Sequence, residues 1–322
     1  MKSPEWMALA FVVSGLVGAP CRTLAADVSG YSVLKCHFLL QTGPGTPVTD
    51  PDFAYSILAS VDLTDFDLAT AATILPPGGT VTPMDNLSDF WAFLDTRNSL
   101  TALNSAYGWG DYSIAFNTVH DGNYTAVLNL PNTALPPTPR LTNFAAVRAV
   151  DPTRPLTLYW DYASAPLTSD FVQVYVNDGH DDMFSTPNFG EPGALNGSAR
   201  TVTIPAGMLD AGVKMSLNIE ITRIVSTNAT AYPWAEGVTG TLRSTALDLT
   251  TIIPPRMTIL PPTNGLAAIE VRGSAGRTNV LQDSVDLVTW RNVATNVAPL
   301  GKSVFNVPTT ALPARTFRTR QP

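Results

Sequence analysis

The chain has 322 residues, is 45% hydrophobic and only 14% charged, and carries a formal net charge of −7 at pH 7. That length allows two or three domains with a real core in each, and the acidic balance leaves nucleic acid out of the expected partners. Twenty-seven prolines and few lysines suit strands and turns more than helices, so the expected class is all-β.

Lys2, the apolar stretch from Trp6 to Ala19 and the small residues around Ala25 and Ala26 form the pattern of a secretory signal peptide over residues 1–26. The remainder is then expected outside the cytoplasm, secreted or held at the cell surface. No later segment approaches the roughly 18 apolar residues of a spanning helix, so no transmembrane helix is expected in the mature chain. Cys21 falls within the signal, which leaves Cys36 alone, without a disulfide partner and best read as a small buried hydrophobe in a strand.

Proline pairs in "ALPPTPRLTNF" (Ala134–Phe144) and "TIIPPRMTILPPTNG" (Thr251–Gly265) stiffen the chain and cannot donate to a ladder. They divide it into modules at residues 27–139, 140–251 and 256–322. In the first, "YSVLKCHFLLQT" and "FAYSILASVDL" read as strands. Val33, Cys36, Phe38 and Leu40 share one face only if the alternation is broken by a bulge. In "MDNLSDFWAFLDT", Leu87, Phe90, Trp91 and Leu94 fall at i, i+3, i+4 and i+7, which predicts a helix with Asp85 as its N-cap. "SLTALNSAYG" continues as a short helical turn closed by a left-handed Gly108. "GDYSIAFNTV" and "YTAVLNL" alternate again, and Asp121-Gly122 between them marks a hairpin. The expectation is a β-sandwich with a short helical insertion.

The second module is strand-rich throughout. "PLTLYWDYA", "DFVQVYVND", "ARTVTIPAGML", "GVKMSLNIEITRI" and "GTLRSTALDL" follow one another with turns between them, the pattern of an antiparallel sandwich. Trp160 on an early strand, with Leu209 and Gly212 before a later one, resembles the fibronectin type III and immunoglobulin-like pattern. Met215 stands where that pattern places a tyrosine.

The third module carries "GRTNVLQDSVDLVTW" (Gly276–Trp290). Gly273, Gly276, Arg277, Leu281, Ser284, Asp286, Leu287, Trp290, Phe305, Phe317 and Arg318 together resemble a short C-terminal β-module of secreted proteins from Verrucomicrobia-like bacteria. Asp283 departs from it, since a small residue is commoner there. The resemblance implies an exported, multi-module protein and brings no activity. "SVDLVTW" also resembles the Asp-box hairpin of sialidases, without its glycine and one residue short. Physically, Ser284 and Asp286 can accept hydrogen bonds from nearby amides, and Trp290 can pack across the hairpin beside Leu281, for about 2–3 kcal/mol of burial. This is a structural clasp.

Catalytic patterns are thin. The sequence has no G-x-S-x-G elbow, P-loop, H-E-x-x-H or C-x-x-C pair. His37, His120 and His180 show no ligand-like spacing and read as surface or turn residues. Calcium is the one cofactor that the acidic clusters suit: "NDGHDD" offers Asn177, Asp178, Asp181 and Asp182, and "DLTDFD" offers Asp62, Asp65 and Asp67, neither with EF-hand spacing. Tyr107, Trp109 and Tyr112 in "YGWGDY", and Tyr232 and Trp234 in "AYPWAEG", place aromatics in turns, where they suit a sugar platform or core packing. Residues 27–255 hold nine Lys/Arg against 22 Asp/Glu, a net of −13, while residues 256–322 hold eight against three, a net of +5. The reading is a secreted, non-enzymatic β-modular protein for extracellular or cell-surface binding or adhesion, with a polysaccharide or a cell-surface component as the expected partner. The alternatives are a carbohydrate-binding accessory protein using the turn aromatics, and an enzyme built from the acidic loops of the first two modules.

Overall fold

The computed structural model describes residues 26–308 and 315–321; the expected signal segment through residue 25, with Cys21, lies outside them. Strands dominate, as expected, and the described residues separate into two compact units. The first holds the described residues up to Ala145 with Thr157–Ile204 and Met215–Leu249.

In chain order its main strands are β1 (Val28–Leu40), β2 (Tyr55–Leu63), β3 (Ala69–Leu75), β4 (Phe90–Arg97), β5 (Gly110–Thr118) and β6 (Asn123–Leu130). They continue as β7 (Pro139–Leu141), β8 (Leu156–Tyr162), β9 (Phe171–Asn177), β10 (Thr201–Ile204), β11 (Lys214–Asn228) and β12 (Gly237–Thr250), with the helix α1 (Leu100–Ala106) between β4 and β5. One long sheet includes the order β9-β11-β12-β1-β2-β4. A second sheet pairs β3, β5 and β6, and a third pairs β7, β8 and β10.

The long sheet corrects the module boundary drawn at residue 139. β1 pairs with β2 in antiparallel fashion and with β12 in parallel, from Tyr31 opposite Gly237 to Leu40 opposite Ala246. The first and second stretches therefore share one sheet, and the expected all-antiparallel order is broken at this joint. The cause lies in β1 itself. Tyr31 and Val33 enter a core with Ile57, Ile114, Phe116 and Leu128, while Leu34, Cys36 and Phe38 enter another with Leu58, Tyr175 and Leu242. A strand buried on both faces shows a near-continuous apolar run in place of alternation, which is why its sequence fits a one-faced pattern only with a bulge. Two glycines of β12 permit the close approach. A Cβ on Gly237 would lie 2.1 Å from the Tyr31 ring, and one on Gly240 would lie 2.4 Å from the Arg223 carbonyl oxygen.

The helix expected around Leu87–Leu94 is a correction too. Phe90–Arg97 is β4, paired along β2 from Asp62 opposite Phe90 to Tyr55 opposite Arg97. Phe90 and Ala92 are buried together, and Trp91 and Phe93 pack on the main core, so pleated alternation accommodates the same aromatics. Asp85 caps nothing; it sits in a two-residue strand beside β4. The helix forms later, where Ser99 accepts from the Ala102 amide at 3.1 Å and Leu103 faces the core. Gly108 is not left-handed; Gly110 takes that conformation, at φ 131°. The hairpin at Asp121-Gly122 joins β5 to β6. At the edge strand β6, Asn228 Nδ2 and Thr239 Oγ1 donate to the Val127 and Asn129 carbonyls at 2.9 and 2.7 Å, which blunts an otherwise open ladder.

The second unit holds Ala146–Leu156, Pro205–Lys214 and the described residues from Thr250 onward. Two segments of the 140–251 stretch thus cluster with the C-terminal module, a second departure from the expected division. Its strands are β13 (Arg256–Ile259), β14 (Leu266–Arg272), β15 (Arg277–Ser284), β16 (Arg291–Ala298), β17 (Lys302–Pro308) and β18 (Thr316–Arg320). They form two three-stranded sheets, β13-β14-β17 and β16-β15-β18, over a core of Ile269, Val271, Leu281, Phe305 and Val307. No helix among the described residues is long and apolar enough to cross a membrane.

Candidate functional site

The turn aromatics divide between two places. Just beyond α1, Trp109 covers a lysine that the sequence did not single out, while Tyr107 turns to Asp95. Lys35 is fully buried; its Nζ donates to Asn104 Oδ1 at 2.9 Å and lies 3.5 Å from the centroid of the Trp109 ring. Burial pushes its amine down to about 8. In register two strands over, Asp95 accepts hydrogen bonds from the Tyr107 hydroxyl and the Arg97 guanidinium. Burial alone would raise the Asp95 carboxyl, but these bonds outweigh it and hold it low. Burial and the Asp95 bond push the Tyr107 hydroxyl up to about 12. Trp109 and Tyr107 thus serve as cover and anchor.

His37, two residues along β1, is buried, contrary to the surface placement expected of it. Its ring stacks on Tyr55 at 4.1 Å, and Nε2 lies 3.1 Å from Thr49 Oγ1. Burial and the nearby Arg243 charge push it down to about 4, so it is neutral at physiological pH. Burial likewise pushes the carboxyls of Asp62 and Glu220 up to about 7; Glu220 accepts from the Tyr175 hydroxyl at 3.0 Å.

Tyr232 and Trp234 lie in the connection from β11 to β12. Tyr232 is fully buried, with ring centroids 5.6 Å from Phe116 and 4.8 Å from Tyr124, and its hydroxyl donates to Asp121. Trp234 stands edge-on to Tyr232 at 5.2 Å and to Tyr124 at 6.3 Å, and is 38% exposed. Beneath them Asp27 is buried and bound to His120, with Oδ1 2.8 Å from Nδ1 and Oδ2 accepting from the His120 amide at 2.6 Å. Asp121 Oδ2 also accepts from the Asp27 amide at 2.8 Å. Burial would raise Asp27, but these bonds from His120 hold its carboxyl low. The result is an indole on a rigid, hydrogen-bonded base.

The two aromatic pairs do not form one platform. Trp109 covers Lys35, whereas Phe116 of the second group contacts Tyr31, four residues earlier on β1. At about 3.3 Å per residue these points lie roughly 13 Å apart along the strand.

The acidic clusters do not converge either. Asp178 Oδ1 accepts from the amides of His180 and Asp181 at 2.8 and 2.9 Å, an Asx turn in which those bonds hold the carboxyl low. Asp181 and Asp182 are exposed beside it, while Asp62 is buried in β2, away from the exposed loop of Asp65 and Asp67. Among the described residues no three His, Cys, Asp or Glu side chains gather in a metal-holding group.

In the β15–β16 hairpin, Ser284 Oγ accepts from the Leu287 amide at 2.9 Å, and Asp286 Oδ1 accepts from Val288 and Thr289 at 2.9 and 2.7 Å. Trp290 corrects one expectation. It is not among the side chains packed on the Leu281 core; its Nε1 donates to the Leu287 carbonyl at 3.2 Å, and the Arg318 guanidinium lies 4.1 Å from its ring centroid. Asp283 accounts for its own departure from the module's pattern: buried, it accepts from Arg291 at 2.8 and 3.0 Å and from Arg315.

No protein-family model matches the chain, and no curated protein does. Among solved structures it is similar to an Escherichia coli alpha-2-macroglobulin at 8% identity and a TM-score of 0.24, over 86% of this chain and 28% of that one. It is similar to the chicken CNTN1 FN1–FN3 domains at 8% identity and a TM-score of 0.21, over 81% of this chain and 82% of that one. A Clostridium thermocellum CbhA fibronectin(III)-like structure matches at 12% identity and a TM-score of 0.19, over 69% of this chain and 94% of that one. At such scores none of these likenesses carries a conclusion, and the β-sandwich character rests on the strand pairing and the cores between the sheets.

Proposed function

We propose that the chain is an exported, non-enzymatic β-modular protein that binds a component of the cell surface or its surroundings. The observation that carries this reading is the Trp234 shelf. An indole is left partly in water although its neighbours Tyr232 and Tyr124 are locked in place. Preorganised aromatic surface of this kind suits recognition, since little side-chain freedom is lost on binding. The polar groups around it serve structure: Asp27, Asp121 and His120 are engaged with one another and with the backbone, as Asp95 is with Arg97 and Tyr107.

A carbohydrate ligand is the second reading, favoured by the part-exposed indole of Trp234. A flat ring of this kind meets the apolar face of a pyranose. On a glycan array the chain is expected to retain a subset of glycans, with binding at least tenfold weaker for Trp234→Ala and unchanged for Trp109→Phe. Equal retention by Trp234→Ala would remove the shelf from the account.

A further inference from the structure

We infer that the tip of the β15–β16 hairpin is a contact for an anionic phospholipid surface, a site separate from the Trp234 shelf and independent of it. Val285, Leu287 and Val288 stand in succession around the turn at 70%, 63% and 82% exposure. They are held there. Ser284 and Asp286 accept from the amides of Leu287, Val288 and Thr289, and Trp290 binds the Leu287 carbonyl. Leu287 has φ of 61°, a left-handed conformation unfavourable for a residue with a Cβ. The hairpin thus fixes a strained leucine with its side chain in water, between two exposed valines.

The charge around this tip names the occupant. Arg291 and Arg315 share the one carboxylate of Asp283, and Arg318 lies on the Trp290 ring and donates to Gln282, so the base of the loop carries more guanidiniums than carboxylates even with Asp286 counted. Residues 256–322 carry eight basic and three acidic side chains, a net of +5. An aliphatic tip above a cationic base matches an anionic bilayer, where apolar side chains enter the acyl boundary and guanidiniums meet phosphates. A soluble polyanion would engage the arginines and leave the three aliphatic side chains in water. A second copy docked tip to tip would bring like charges together.

Cosedimentation of the chain from Ala26 onward tests this, with vesicles of phosphatidylcholine alone and of phosphatidylcholine mixed with phosphatidylglycerol. Binding is expected only with phosphatidylglycerol present and is expected to weaken as salt rises. The double variant V285D/V288D, which leaves the Leu287 backbone and the capping residues intact, should bind at least tenfold more weakly with an unchanged melting temperature. Val288→Asp alone should show a smaller loss in the same direction. Undiminished binding by both variants, equal binding to phosphatidylcholine alone, or no vesicle binding by the parent chain would each overturn the inference. So would a parent dimer that the substitutions dissociate, which would assign the tip to a second copy.

Discussion

A lysine in the middle of a strand reads as a solvent-facing residue, and nothing in "YSVLKCHFLLQT" marks Lys35 as different. It is buried because β1 has neighbours on both edges and both faces, a property fixed by a strand two hundred residues away. Its ammonium is held by one amide oxygen and one indole face, without a carboxylate among the described residues. Desolvation lowers its pKa from the ordinary 10.5 to about 8, so between those values the unfolded chain holds more protons than the folded one. Lys35 therefore opposes folding most fully below pH 8, and this cost fades as pH rises toward 10.5. Lys35→Met is predicted to be more stable than the parent at pH 7, with the gap closing near pH 10.5 in denaturant melts at both values. A variant less stable than the parent at pH 7 would mean that the Asn104 and Trp109 contacts outweigh desolvation. His37 teaches the same lesson: a residue type can be read from sequence, but its solvent exposure depends on partners that local pattern does not reveal.

Elements were legible where one face meets a core and the other meets water. β5 and β6 alternate cleanly and join at the expected Asp121-Gly122 turn. They were misread where both faces are apolar: the spacing of Leu87, Phe90, Trp91 and Leu94 fits a helix, yet β4 uses its aromatics on two sides of a sheet. The Ser284–Asp286 turn was legible because its bonds are local, spanning three residues at most. The place of Trp290 was not, because Arg318 comes from a strand beyond the hairpin. Removing the cap should loosen this element. Asp286→Ala is expected to lower the melting temperature of the second unit by about 4–8 °C, the scale of one lost cap in a unit of this size. Asp283→Ala should lower it further, since its buried carboxylate ties Arg291 and Arg315. The hydrogen bonds and arginines hold both carboxyls below their ordinary range, so their contribution is present above about pH 4 and lost as pH falls through the depressed values. A calorimetric scan at pH 7 and pH 3 checks each point; parent and variants melting alike at pH 7 would contradict the clasp.

At the scale of the molecule, the proline runs at Ala134–Phe144 and Thr251–Gly265 were visible as stiff connections; the second falls where β12 leaves the long sheet, but the first does not mark the end of a sheet. The parallel joint of β1 and β12 bridges the first run, and Tyr31 across Gly237 is a packing relation that no local pattern announces. The Trp234 shelf was half legible. Tyr232 and Trp234 stood out in "AYPWAEG", while Asp27, His120, Asp121 and Tyr124 come from two distant segments. On the proposed reading, conspicuous polar side chains hold strands together and exposed aromatic surface is left for binding. Incubating the chain with a panel of surface polysaccharides, and following adsorption and release of new reducing ends together, tests this most directly. Adsorption that Trp234→Ala weakens at least tenfold, with no ends released, is the predicted result. Steady release of ends that Asp121→Asn or Asp95→Asn abolishes would show a glycosidase at work and contradict the account.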